Sequence, residues 1–144
     1  MNELMLICEI AGRRAAIAAS DVRSVIEIEG VTPIPGTPPH IAGLTALRSQ
    51  ALTLVDCRVA LGFESLSKVD GARAAVVEED GHLYALVVDE AYDVAETSGA
   101  TQDVSGGFGH GWHAAARGMV ETQSGPAILI DTAQLIAGLQ SEAA

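Results

Sequence analysis

The sequence predicts an all-β protein made of two small five-stranded barrels packed on one shared core. Three observations carry that expectation. Apolar residues fall into short β-type runs separated by turn residues, with little sustained helical period. The order of runs, turns and acidic residues occurs twice along the chain. Each copy holds about five short strands, and such a set closes most simply into a barrel, because closure leaves no exposed edge. The chain has 144 residues, 49% of them hydrophobic and only 3% aromatic. One domain of that size buries a core without disulfides or metals, and here Val, Ile, Leu and Ala must build it.

In the first copy, Leu4 to Ile10 reads as a strand leading into the turn Ala11-Gly12-Arg13, and Ala15 to Ala18 returns. Val22 to Ile28 follows the bend Ser20-Asp21. Four prolines between Val31 and Pro39 remove donors and fix φ, which makes that stretch a stiff extended loop. Ile41 to Leu47 and Ala51 to Val55 are strands joined by the tight connection Arg48-Ser49-Gln50. Asp56 opens a helical segment that runs through Leu61 and stops at Gly62.

In the second copy, Ala72 to Glu79 and Leu83 to Val88 flank Asp80-Gly81, a strong hairpin signal. Tyr92 to Ala95 reads as a short strand, and Glu96 to Gly111 as a long exposed loop. Ala114 to Glu121 and Ala127 to Ile130 are strands, and Thr132 to Leu139 is a terminal helix capped by Asp131. Laid side by side, Ala51-Leu52-Thr53-Leu54-Val55-Asp56 matches Pro126-Ala127-Ile128-Leu129-Ile130-Asp131, with Gly43 against Gly118 and Gly12 against Gly81. A single domain over residues 1–144 is expected, with approximate halves 1–62 and 71–144 each carrying one barrel, exchange of strands between them allowed, and Phe63 to Asp70 as the crossing point.

The formal charge is −11, from 19 acidic and 8 basic residues. Such a polyanion repels phosphate backbones, so neither nucleic acid nor an anionic membrane surface is an expected partner. No apolar run approaches the roughly 18–20 residues that span a bilayer, and Met1-Asn2-Glu3-Leu4 lacks the basic start of a signal peptide. A cytoplasmic protein is expected, with no insertion into the membrane. Cys8 and Cys57 sit among apolar neighbours and read as small buried hydrophobes rather than a disulfide framework.

No convincing catalytic set emerges, and no cofactor or metal is expected. Asp56 and Asp131 occupy equivalent places, but an aspartic-protease pair needs two carboxylates on tight glycine-containing turns. Here Ala133 and Cys57 stand near them instead, and helix capping accounts for both aspartates. His110 and His113 in Gly-His-Gly-Trp-His lack a third ligand partner, and the segment reads as a solvated loop. Gly106-Gly107-Phe108-Gly109 is followed by no phosphate-binding helix pattern. The segment from Pro35 to Arg48 carries apolar residues around a single Arg. An Arg at a strand end before a tight turn can anchor a partner through paired hydrogen bonds, and a solvated Arg offsetting acidic charge fits equally well.

At this segment the chain resembles the CheW family, the adaptors of bacterial chemosensory arrays. The family pattern is a Pro-Gly-x-Pro loop, then Gly-(apolar)-x-Asn-Leu-Arg-Gly, a strand, and Asp-x-Arg with a short helix. Those places are held by Pro35-Gly36-Thr37-Pro38, by Gly43-Leu44-Thr45-Ala46-Leu47-Arg48-Ser49, and by Leu52-Thr53-Leu54-Val55-Asp56-Cys57-Arg58. Val22-Arg23-Ser24-Val25, Leu86-Val87-Val88-Asp89-Glu90 and Ile128-Leu129-Ile130-Asp131 extend the likeness over almost the whole chain.

The resemblance implies two SH3-like barrels and a non-catalytic role bridging the cytoplasmic tip of chemoreceptors to the regulatory domain of a CheA-type histidine kinase. It implies that Gly43 and Arg48 contact receptor or kinase, that Val22 and Val25 help line a receptor groove, and that Leu44 and Leu47 support the surface or pack inward. Departures are Ala46 for the usual Asn, Ser49 for Gly, Thr53 where Pro is common, and Ser24 where an acidic partner for the Arg is frequent. They leave room for a second reading, a CheW-like regulator of a histidine kinase outside chemotaxis. A third, from another class, is a small aspartic hydrolase using Asp56 and Asp131.

Overall fold

The computed structural model describes residues 3–65, 71–102, 110–123 and 125–138. Among the described residues ten strands and three short helices follow one another: β1 (Glu3–Ile10), β2 (Arg13–Ala18), a 3-10 turn (Ala19–Asp21), β3 (Val22–Glu27), β4 (Ile41–Leu47), β5 (Gln50–Asp56), α1 (Cys57–Ala60), β6 (Arg73–Glu79), β7 (His82–Val88), β8 (Glu90–Gln102), α2 (His110–Ala115), β9 (Ala116–Thr122), β10 (Gly125–Ile130) and α3 (Thr132–Ala137). The strands form two five-stranded sheets of SH3-like type. The first is a closed barrel in the order β1-β2-β10-β9-β8, and the second runs β3-β6-β7-β5-β4. The chain beyond β3 draws the second sheet round: Thr32 and Leu44 exchange two backbone hydrogen bonds of 2.8 Å, joining the β3 side to the β4 edge.

Each sheet takes strands from both halves of the chain, and the exchange is reciprocal. The hairpin β1-β2 joins β8, β9 and β10, while the hairpin β6-β7 joins β3, β4 and β5. The repeat seen in sequence is therefore a repeat of register. Ile128 and Leu129 lie parallel to Ala15 and Ala16, as Thr53 and Leu54 lie parallel to Tyr84 and Ala85. A bulge separates Ala116 from Gly118 opposite Ile130 and Leu129, and a matching one separates Ile41 from Gly43 opposite Val55 and Leu54. Gly43 and Gly118 hold φ of 142° and 152° at these bulges, a region that favours glycine.

Reciprocal exchange explains the composition. β1, β2, β6 and β7 are covered on both faces, so they read as continuous apolar runs instead of alternating ones. Ala16, Met5 and Ile7 fill the first barrel with Leu129, and Ala85, Val87, Leu52 and Ile28 fill the second. Leu6, Cys8, Ile17, Val55, Leu86, Val88, Ile128 and Trp112 belong to a third cluster between the sheets. Ala15 and Ala75 are buried in the same cluster, and such small side chains let the sheets approach closely around Trp112. Truncating a fully buried member such as Leu86 should cost about 2–5 kcal/mol.

Two expectations need correction. The strand expected to end at Ala95 continues to Gln102, because the polar residues after it pair with neighbours on both sides: Thr97 with Glu3 and Thr122, Ser98 with Glu121. Backbone pairing overrides a composition that reads as loop. His110 to Ala115 is helix α2, not loop or strand. Trp112 is wholly buried in the central cluster, and Gly111 packs so tightly that a Cβ there would lie 2.9 Å from the Leu61 Cα. One large apolar side chain thus docks a segment that looks solvated. The Gly-rich run 106–109 lies outside the described residues, as do Asp70 and most of the crossing segment. The terminal helix ends at Ala137, where Gly138 (φ 73°) donates to the Gln134 carbonyl.

Candidate functional site

The residues singled out in sequence gather along the two edges of the second sheet. On β3, a bulge between Val22 and Ser24 turns the strand as it pairs with β6. Val22 is half-buried and packs against the central cluster, while Ser24 and Val25 are exposed, Val25 at 40%. Arg23, between them, pairs with Glu78. No hydrogen bond joins Ser24 to Arg48.

On the opposite edge, β4 and β5 form a hairpin whose turn is Arg48-Ser49, both in the left-handed region at φ 51° and 69°. This two-residue turn follows the twist of the strands and holds the hairpin tip rigidly. Arg48 is exposed at that tip and has no ion-pair partner among the described residues. A planar guanidinium held there is available to a carboxylate in paired geometry. Gly43 is buried against the chain after β3: a Cβ would strike the Thr32 carbonyl oxygen and stand 3.0 Å from Val31 Cγ1. Leu47 turns inward, half-buried, onto the cluster inside the second barrel. Leu44 and its neighbour Ala46 face out.

Between the chain after β3 and the β4-β5 hairpin lies a groove of about 630 Å³, lined by Glu29, Val31, Leu44, Ala46 and Ala51 among others. Thr45 stitches its floor, donating its hydroxyl to the Gly30 carbonyl at 2.8 Å. Sequence reasoning did not place Val31 and Ala51 at the site: neither carries a motif, and Ala51 joins it as the β5 partner of Ala46 while Val31 arrives with the chain whose Thr32 bridges to Leu44. It also missed an apolar face on the first barrel, where Leu4 of β1 and Tyr92 and Val94 of the adjoining β8 are each at least half exposed. The Tyr92 hydroxyl there donates to Glu9 at 3.1 Å.

The two equivalent aspartates both sit at helix N-termini. Asp56 accepts from the Arg58 and Val59 amides at 3.0 and 3.3 Å and from the Ser65 hydroxyl at 2.9 Å. Asp131 accepts from the Gln134 amide at 3.3 Å and lies 3.7 Å from the Arg117 guanidinium. Neither carboxylate bonds the other, so the shared proton of an aspartic-protease pair has no geometry here. Cys8 and Cys57 are free and buried; burial pushes the Cys8 thiol up to about 12 and Cys57 well above its usual range. Neither is a nucleophile near neutral pH. Among the described residues no three His, Cys, Asp or Glu side chains converge as a metal set, and the His110 and His113 side chains are outside that description. No helix among them is long and apolar enough to cross a membrane.

A sequence model of the CheW-like domain family matches residues 4–140. The chain is 28% identical over 93 residues to the chemotaxis protein CheW of Bacillus subtilis (strain 168), a match covering 65% of this chain and 60% of that protein, thus less than two thirds of the relative's length. In fold it is similar to the crystal structure of the scaffolding protein TtCheW from Thermoanaerobacter tengcongensis, with a TM-score of 0.79 at 23% identity over 91% of this chain and 90% of that one.

Proposed function

Since this chain belongs to the CheW-like domain family, we propose that it is a non-enzymatic adaptor that couples the cytoplasmic tip of chemoreceptors to the regulatory domain of a CheA-type histidine kinase. The observation that carries this reading is the exposed Arg48 guanidinium on a rigid hairpin tip beside an open groove. An adaptor needs two separate surfaces on one stiff body. The groove edges of the second barrel offer one, and the exposed Leu4, Tyr92 and Val94 on the first offer another. The shared central cluster ties the two barrels into one unit, so a force on one surface moves the other. Coupling by orientation alone requires such stiffness and no chemical step. On this reading the protein works in the cytoplasm, recruited to membrane receptor arrays by its partners.

Gly43, Arg48, Val22, Ser24, Val25, Leu44 and Leu47 are the partner-binding set in this proposal, in two roles. Ser24, Val25, Leu44 and Arg48 present atoms to a partner, while Gly43, Val22 and Leu47 hold the edges in place. Binding of the purified chain to the kinase regulatory domain and to a receptor-tip fragment, measured by calorimetry, tests the proposal. Arg48→Ala is expected to weaken at least one of the two contacts by tenfold or more with an unchanged circular dichroism spectrum, in keeping with an anchor Arg. If the wild type binds neither fragment, the adaptor reading fails.

Ser24, Ala46 and Ser49 favour a second reading, a regulator of a histidine kinase outside chemotaxis, since all three depart from the family pattern. Affinity capture from the native cell separates the two. Chemoreceptors recovered with the kinase support the first, and a kinase without receptors supports the second.

A further inference from the structure

The two barrels correspond in register except at one place. In the first, β8 passes from β1 directly onto β9, pairing Thr97 with Thr122, Ser98 with Glu121, and Gln102 with Met119. In the second, Ile28 takes the place of Thr97, exchanging hydrogen bonds with Ala72 and Gly71, and Thr32 takes the place of Gln102 opposite Leu44. The ladder between these two points is missing. The counterparts of Thr122 and Glu121 are Leu47 and Ala46, and neither pairs with Ile28 or Glu29. The groove lies along this interruption.

The interruption leaves a hydrogen-bonding edge. Both the N–H and the C=O of Leu44 are given to Thr32, so the Leu44 backbone points away from β5. Alternation then points the Ala46 N–H and C=O the same way, two residues further along. Ala46 is exposed, and its main chain has no partner beyond β5 among the described residues. Natural edges are normally guarded by charge, by proline or by burial. Leu44-Thr45-Ala46-Leu47 carries neither charge nor proline, and its outward side chains are small or apolar.

We propose that this interruption is a strand-acceptor edge: an extended segment of a partner protein adds to β4, hydrogen-bonding the Ala46 N–H and C=O and setting a Thr- or Ser-sized side chain on the Leu44–Ala46–Ala51 face. The nature of the occupant follows from the twin barrel, where the same place is filled by an extended chain with Thr97 and Ser98 against β9. Strand addition of this kind draws affinity from main-chain bonds and selectivity from alternate side chains. The proposal does not depend on the kinase or receptor contacts above.

The chain's own residues 94–101, as a peptide blocked at both ends, are the probe. Titrated into the isotope-labelled full chain, the peptide should give saturable amide shifts at Glu29, Leu44 and Ala46, with the first barrel unmoved. Ala46→Pro removes an N–H that β5 does not use, so it should keep the fold and abolish the shifts. Should that variant not fold, two peptides N-methylated on alternate residues serve instead. One should bind as the parent does and the other at least tenfold more weakly, since only one edge of a strand faces β4. No saturable shifts, shifts centred on the first barrel, or equal binding by both methylated peptides would overturn the proposal. So would protein-concentration-dependent shifts at Ala46 without peptide, which would assign the edge to a second copy of the chain.

Discussion

His40 Nε2 lies 2.7 Å from the carbonyl oxygen of Ile136, which binds the end of the proline-rich loop to the terminal helix α3. A carbonyl only accepts, so Nε2 carries the proton and donates, and Nδ1 is left buried without a partner. The His40 carbonyl also accepts from the Asp56 amide at 2.8 Å. A Cβ at Gly138 would lie 2.6 Å from the ring carbon Cε1, so glycine there lets the chain pass over the imidazole. His40→Ala removes the donor, strands the Ile136 oxygen and leaves a void. The expected loss is about 2 kcal/mol in urea unfolding, and a loss under half that would mean the contact is not structural.

Gly43 and Gly12 provide a contrast between contact and conformation. Both hold positive φ, at 142° and 82°, but a Cβ at Gly12 meets nothing within 4 Å, whereas at Gly43 it meets the Thr32 backbone. Gly12→Ala should cost about 1 kcal/mol for the left-handed backbone alone. Gly43→Ala must also push Thr32 away from Leu44, and a cost of about 3 kcal/mol is expected. Equal losses in parallel denaturation curves would show that the bridge contributes nothing.

Ser49 occupies a turn position with φ 69° that glycine takes more readily. Ser49→Gly relieves about 1 kcal/mol of backbone strain, partly offset by the greater freedom of glycine when unfolded. The melting temperature should rise by about 1–3 °C. Calorimetric scans of the two proteins decide the sign.

Asp89 links three elements: it accepts from the Ala11 amide at 3.0 Å and stands 3.8 Å from the Arg58 guanidinium. Burial raises its pKa above the ordinary carboxylate value, against the lowering effects of Arg58 and the Ala11 hydrogen bond. The native state therefore binds the proton more tightly than the unfolded chain. The Asp89 contribution to stability is fullest below the unfolded value, near pH 4, and falls as pH rises through the native one. Asp89→Asn keeps an oxygen for Ala11 and deletes this slope. Unfolding free energies from pH 4 upward should move in favour of the variant as pH rises, and parallel curves would refute the assignment.

Much of the fold was legible because its determinants are local. The Asp80-Gly81 turn, the doubled Leu-Val-Asp and Leu-Ile-Asp strand ends and the stop at Gly62 act within a few residues of themselves. The site was legible only in part. Arg48 stands out as a cation at the turn that closes an apolar segment, and Gly43 by its place in the repeat. Leu47 and Leu44 are alike in sequence, yet alternation along β4 sends one into the barrel and the other into the groove.

By itself, then, the sequence determined the strand pattern, the repeated order and the helix starts, since each rests on side-chain period or on bonds between near neighbours. Only the tertiary structure decided the length of β8, the helix around Trp112 and the gap beside Ala46. The strand and the gap depend on backbone groups meeting partners many residues away, and backbone groups are the same in every sequence; the helix depends on distant apolar side chains that bury Trp112. Thr97–Ser98 and Ile28–Glu29 occupy equivalent places, but one pair finds its ladder and the other leaves an edge open.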